Sequence, residues 1–143
     1  SVPSKSVLGQ DQIRTIEGIT NSVGKSVWVG DEKEMDAVTA VSGSGPAYVF
    51  YFMEAIEQAA KELGLSAGIA HQLALSTFTG AAELAAQSTD AVSALRERVT
   101  SKGCTTEAAL KSMAADHVKE AIVRAVKAAH ARSRELGEEV GEG

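Results

Sequence analysis

Ala67-Gly-Ile-Ala-His-Gln-Leu-Ala-Leu-Ser-Thr-Phe-Thr-Gly-Ala-Ala-Glu-Leu-Ala-Ala-Gln87 is the stretch that decides the fold class. Ile69, Leu73, Ala74, Phe78, Ala81, Leu84 and Ala85 recur at steps of three and four, the spacing of one helical face. Alanine on the remaining sides, with Gly80, predicts a helix approached closely by other helices. Ser66 is its expected N-cap. Upstream, Gly64 closes a helix that carries Val49, Met53, Ile56, Ala60 and Leu63 on one face, with Phe52 and Ala59 beside them. Downstream, Asp90 is expected to cap a short segment ending near Arg98, and Val99 to Thr106 reads as a loop. Glu107 to Ala114 is helical again. Asp116 is expected to cap a long last helix that buries Val118, Ile122, Ala125, Val126 and Ala129 and stops at Gly137.

The N-terminal third is less regular. Ser1 to Gly9 reads as a remnant linker. Ile13, Ile16 and Val23 predict a helix over Gln10 to Val23, with Gly24 as its stop. Ser26 to Gly30 is a short extended connector with Trp28 as a packing anchor, Asp31 to Glu34 is a solvated charged run, and Met35 to Val41 makes one or two helical turns. In Ser42-Gly-Ser-Gly-Pro46 the two glycines suggest a turn with unusual dihedrals, and Pro46 suits the first position of the helix that follows. The domain expectation is therefore a linker over 1–9, an all-α domain of six or seven helices over 10–136, and an acidic, disordered tail over 137–143.

Composition agrees. The chain has 143 residues and 44% hydrophobic content, including 24 alanines against six aromatic residues; Pro46 is the last proline. These are helix-forming proportions. An alanine contributes well under the ~1.5–3 kcal/mol that burial of a large apolar side chain supplies. Such helices gain from burying surface against another chain, so a homodimer is expected. A net charge of −5 argues against a nucleic-acid binder, no apolar run reaches the ~20 residues of a membrane span, and the single Cys104 points to an intracellular, cytoplasmic protein. The missing initiator Met suggests a processed or excised segment.

Three motifs bear on chemistry. Gly18 to Ser26 has five residues ahead of Gly24-Lys-Ser where a phosphate-binding loop requires four, and it reads as a helix end. Gly43-Ser-Gly45-Pro-Ala-Tyr48 lacks the third glycine and the preceding strand of a dinucleotide fingerprint. The third is Val99-Thr-Ser-Lys-Gly-Cys-Thr-Thr-Glu-Ala-Ala-Leu110. There the hydroxyls of Thr100, Ser101, Thr105 and Thr106 flank Gly103 just before a helix. Backbone N–H groups of Gly103 to Thr106 could converge on a carboxylate, aided by the helix dipole; the plainer alternative is an N-cap by Thr105 or Thr106. His71, His117 and His130 share no metal-ligand spacing, and no metal is expected.

Together, Asp36-Ala-Val-Thr-Ala-Val-Ser-Gly-Ser-Gly-Pro-Ala-Tyr48 and, about fifty residues later, Leu95-Arg-Glu-Arg-Val-Thr-Ser-Lys-Gly-Cys-Thr-Thr-Glu-Ala-Ala-Leu110 resemble the C-terminal domain of pyrroline-5-carboxylate reductase. The resemblance runs from about Gln10 to Leu136. It implies an all-α, multi-helix dimerisation domain of the 6-phosphogluconate dehydrogenase C-terminal-like kind. It implies a part in reducing the cyclic imine pyrroline-5-carboxylate to proline with NADPH or NADH, the dinucleotide being bound mainly by an N-terminal Rossmann domain that has no counterpart in this chain. On that basis the chain alone is expected to be inactive and to pair with itself. Thr106 matches the hydroxyl that meets the substrate carboxylate. Ser101, Gly103, Cys104 and Thr105 match the loop that cradles it. Ser42 and Gly43 match positions near the nicotinamide, and Thr39 matches a position near the imine, a candidate to polarise the imine nitrogen or relay a proton. Lys102 and Cys104 stand where the family usually has Pro and Gly. The Cys is expected to strain the loop or narrow the pocket, which leaves a related cyclic imino acid as an alternative substrate. A non-enzymatic dimerisation module and a stand-alone carboxylate binder are the competing readings.

Overall fold

The computed structural model describes residues 30–142. The helix expected over Gln10 to Val23, the stretch Gly18 to Ser26, the connector with Trp28 and the linker 1–9 lie outside them. The described residues are all-α, with six α-helices and one π-helical turn and no strand. They are α1 (Glu32–Val38), the π-turn (Thr39–Gly43), α2 (Gly45–Glu62), α3 (Ala67–Gln87), α4 (Val92–Arg98), α5 (Thr105–Ala115) and α6 (Val118–Glu142). They divide into two units, one of residues 30–48 and 120–142, the other of residues 49–119.

In the first unit, the charged run at Asp31 to Glu34 is exposed, as expected, and is at the same time a helix start. The Asp31 carboxylate accepts the Glu34 N–H at 2.9 Å, and the Glu34 carboxylate accepts the N–H of Gly30. The first bond serves one of the amide groups that a helix N-terminus leaves without partners, and the second ties Gly30, just ahead of the cap, to the first turn. α1 is tied to α6 by the Ser133 hydroxyl, which donates to the Asp36 carboxylate at 2.7 Å across 97 residues of sequence. Met35 and Ala40 are the buried residues here. The chain does not turn sharply at Ser42 to Pro46, and neither Gly43 nor Gly45 has a positive φ. The helix instead widens into the π-turn, and Ser44, itself in an ordinary helical conformation, donates its N–H to the Thr39 carbonyl at 2.9 Å.

α6 runs through Gly137 to Glu142, so the helix does not stop where the acidic tail was expected to begin. A glycine in a helix interior costs only about 1 kcal/mol relative to Ala. Good helix formers surround this one, and Arg132 pairs with Glu135 at 3.0 Å and Glu139 at 3.5 Å. Asp116 does not cap α6; it sits at the C-terminal end of α5, and His117 makes the connection with a left-handed φ of 54°. None of Val118, Ile122, Ala125, Val126 and Ala129 is buried, and Ile122 is 45% exposed.

In the second unit, α3 has the expected limits, with the Ser66 hydroxyl accepting the Ile69 N–H at 3.3 Å. α2 ends ahead of Gly64, whose φ of 101° suits a residue without Cβ. There the Leu65 N–H reaches the Ala60 carbonyl and the Gly64 N–H the Lys61 carbonyl, each at 3.0 Å, the paired bonds of a Schellman stop. Phe52 and Phe78 join α2 to α3 edge to face, with ring centroids 6.0 Å apart. Ala70 and Ala74 are fully buried on α3, whereas Ile69, Leu73 and Leu84 are about half exposed. α4 starts without a side-chain cap. Asp90, the expected cap, binds Arg98 and the Ser88 hydroxyl instead.

Candidate functional site

The loop between α4 and α5 is built by its own backbone. Ser101 accepts the Cys104 N–H at 3.1 Å, closing a four-residue turn with Lys102 and Gly103 at its centre. Gly103 has φ +80°, the positive value that the third position of a type II turn requires. Lys102 occupies the second position of that turn, where Pro is favoured but other residues are accepted. Cys104 itself has φ −84° and ψ 171°, extended backbone open to any residue. The strain expected at Cys104 is therefore absent, because the residue that needs glycine's freedom is Gly103.

Cys104 does something the sequence did not suggest. It is the N-cap of α5, in place of Thr105 or Thr106, and its Sγ accepts the Glu107 N–H at 3.4 Å. Glu107 reaches back with its carboxylate to the Gly103 N–H at 3.3 Å and also meets Lys111 Nζ at 3.3 Å. This capping arrangement gives the thiol an environment that favours its anion. Its pKa is lowered first by the Glu107 amide and then by the Ser101 hydroxyl; desolvation opposes them, and the Thr106 and Ser101 amides add smaller contributions in the lowering direction.

The helix begins at Thr105, so the hydroxyls of Thr105 and Thr106 ride on its first turn rather than in a loop. Of the four amides expected to converge on an anion, that of Gly103 is taken by Glu107 and that of Cys104 by Ser101. The amide of Thr106 faces the Cys104 sulfur, that of Thr105 meets no acceptor among the described residues, and the half-buried Thr106 hydroxyl makes no hydrogen bond there. What remains open to a ligand is thus the N-terminus of α5 with the Thr106 hydroxyl, a place suited to a carboxylate.

Thr39, Ser42 and Gly43 lie together in the π-turn, in the other unit. The Thr39 hydroxyl donates to the Met35 carbonyl at 3.0 Å. Its hydrogen is committed, and its lone pairs can accept a hydrogen bond from a ligand. Tyr48, which sequence reasoning passed over as a site residue, donates its phenol to the Ala40 carbonyl inside this turn at 2.8 Å. The available signal was its place two residues after Pro46, since a tyrosine at a packed helix start tends to find an acceptor for its O–H. No three metal-ligating side chains converge among the described residues. Of the histidines, His71 pairs with the Glu57 carboxylate.

Residues 32–136 match the protein family described as pyrroline-5-carboxylate reductase dimerisation. A pyrroline-5-carboxylate reductase of Pseudomonas aeruginosa is 47% identical over 124 residues, covering 87% of this chain and 45% of that protein. One from Synechocystis is 39% identical over 137 residues, covering 96% and 51%. Among solved structures, a pyrroline-5-carboxylate reductase from Coxiella burnetii superimposes with TM-score 0.77 at 40% identity, over 90% of this chain and 48% of that one. A Plasmodium falciparum pyrroline carboxylate reductase with NADP bound gives TM-score 0.77 at 33% identity, over 90% and 51%. The chain spans about half the length of the curated relatives it matches.

Proposed function

The chain belongs to the pyrroline-5-carboxylate reductase dimerisation family, and from that premise we propose that it is the C-terminal half of a reductase converting 1-pyrroline-5-carboxylate to L-proline in the cytoplasm. It pairs with a second copy of itself and is inactive without a nucleotide-binding domain. The observation that supports this reading is the Ser101–Cys104 turn, which leads into the N-terminus of α5 and the Thr106 hydroxyl, unpaired among the described residues, chemistry that suits a carboxylate.

In this reading the amide of Thr105 and the Thr106 hydroxyl hold the substrate carboxylate. The Ser101–Cys104 turn shapes the cradle, and the Gly103 amide joins it when Glu107 lets go. Thr39, with its hydrogen on the Met35 carbonyl, offers an oxygen that accepts from an N–H and does not deliver a proton. The described residues contain no strand to support a glycine-rich dinucleotide loop. They fit only the nicotinamide end, through the Ser42 hydroxyl and the backbone of Gly43. When bound, NADPH or NADH supplies a hydride to the imine carbon, and the proton already on nitrogen completes the amine. The chain's task is then to orient the imine and keep water away. No helix of the described residues is long and apolar enough to cross a membrane.

The half-exposed Ile69, Leu73 and Leu84 favour a second reading, a helical dimerisation module with no catalytic part. Joining the chain to its nucleotide-binding domain and following NADPH oxidation with pyrroline-5-carboxylate separates the two. Turnover by the joined protein and none by the chain alone is expected; a joined protein that binds dinucleotide and dimerises without turnover would leave only the module.

A further inference from the structure

Resting on the reductase reading above, we propose that Tyr48 is a positioning residue for the imine-reducing site, acting through the π-turn that carries Thr39, Ser42 and Gly43. Its phenol donates to the carbonyl of Ala40 at 2.8 Å, eight residues back along the chain. Ala40 is 1% exposed, so this bond serves a carbonyl that water does not reach. A buried carbonyl deprived of a donor is unfavourable, which makes the phenol more than an accessory contact.

The junction is short of donors for a reason legible in the backbone. Pro46 has no N–H. The Ser42 carbonyl therefore lacks the donor that α-helical spacing would bring, and the Val41 carbonyl lacks the one that π spacing would bring. The Ser44 N–H spans the π-turn to the Thr39 carbonyl, and the Tyr48 phenol is a second tie across the same residues. π and α registers differ by one residue, and a one-residue shift swings a side chain by about 100° around the axis. The register thus decides where the Thr39 and Ser42 hydroxyls point. Tyr48, fixed in the first turn of α2, locks that choice from outside the turn.

Tyr48→Phe removes one oxygen and keeps the ring. In the chain itself, amide hydrogen exchange at Ser44 is expected to speed up at least tenfold, while α3 amides such as Ala74 keep their rates. In the protein with its nucleotide-binding domain, kcat is expected to fall about tenfold with KM for the imine within twofold, because the substitution alters the register of the π-turn and leaves the Ser101–Thr106 loop as it is. A global loss of structure would instead move exchange everywhere and both kinetic constants together, which overturns the role. A wild-type Ser44 amide that already exchanges as fast as the helix ends overturns it without any variant. Wild-type turnover that Tyr48→Phe leaves unchanged overturns the role alone, whereas absence of wild-type turnover overturns the reductase reading and the role with it.

Discussion

Cys104 is at once the cap of α5 and a thiol drawn toward its anion. As a residue type it is a weak hydrogen-bond acceptor and a poor expectation for an N-cap. In place, its sulfur takes the Glu107 amide and caps α5. The same bonds hold its thiol below the ordinary value. The consequence for stability has a definite sign. A folded pKa below the unfolded one gives a contribution that is present above the unfolded value and disappears as pH falls through the folded value. Alkylation by iodoacetamide followed against pH should therefore show a lower midpoint in the native chain than in the chain unfolded in urea; equal midpoints would remove the capping thiolate from the account. The turn and helix start around Cys104 were legible in the sequence, because hydroxyls, a glycine and a helix start form a recognisable pattern. The sulfur cap was not, since Thr105 and Thr106 are better caps by type and only the backbone angles of Gly103 and Cys104 decide between them.

Among the elements, α3 was legible in its limits and its cap, and the structure follows them, although Ile69, Leu73 and Leu84 of its apolar face stay half exposed. The π-turn was invisible there, because a glycine pair ahead of proline signals a tight turn as readily as a widened helix. Gly64 and Gly137 were both expected as helix stops, and only the first is one. Gly64 has φ +101°, whereas Gly137 lies inside α6 with open space where a Cβ would stand. Opposite responses to the same substitution follow. Gly64→Ala should lower stability by about 1–2 kcal/mol, since Ala is strained at positive φ, while Gly137→Ala should raise it by up to about 1 kcal/mol through better helix propensity. Thermal melts of the two variants beside the wild type check this, and a shift of the same sign in both would contradict the assigned conformations.

For the whole molecule, burial falls short of what the composition offers. Met35, Ala40, Ala70 and Ala74 are the buried apolar residues among those described, and Leu73 stands 49% exposed with Ile69 and Leu84 on the same face of α3. The sequence announced helices that want partners, but an apolar stripe looks alike whether it meets its own chain or another, and Ile122, expected to be buried, is 45% exposed in the single chain. The dimer proposal makes this exposure a matter of association. Leu73→Glu changes little in a lone chain, where the side chain is half in water, but places a charge inside a dimer interface at a cost of several kcal/mol. Light scattering should give twice the chain mass for the wild type and the single mass for Leu73→Glu at micromolar concentration. A wild type of single mass, or a variant that stays paired, would count against that surface as the contact.

The small set of buried side chains also bears on how the chain reaches its native state. When the larger apolar residues find cover only on a partner, the late, stabilising step of folding is an encounter between two molecules. Such a step is second order, so its half-time lengthens as the chain is diluted. A freshly made chain at low abundance would spend correspondingly longer with Ile69, Leu73 and Leu84 uncovered, within reach of proteases and chaperones. The copy number of this polypeptide then governs how fast it matures as well as how much of it there is.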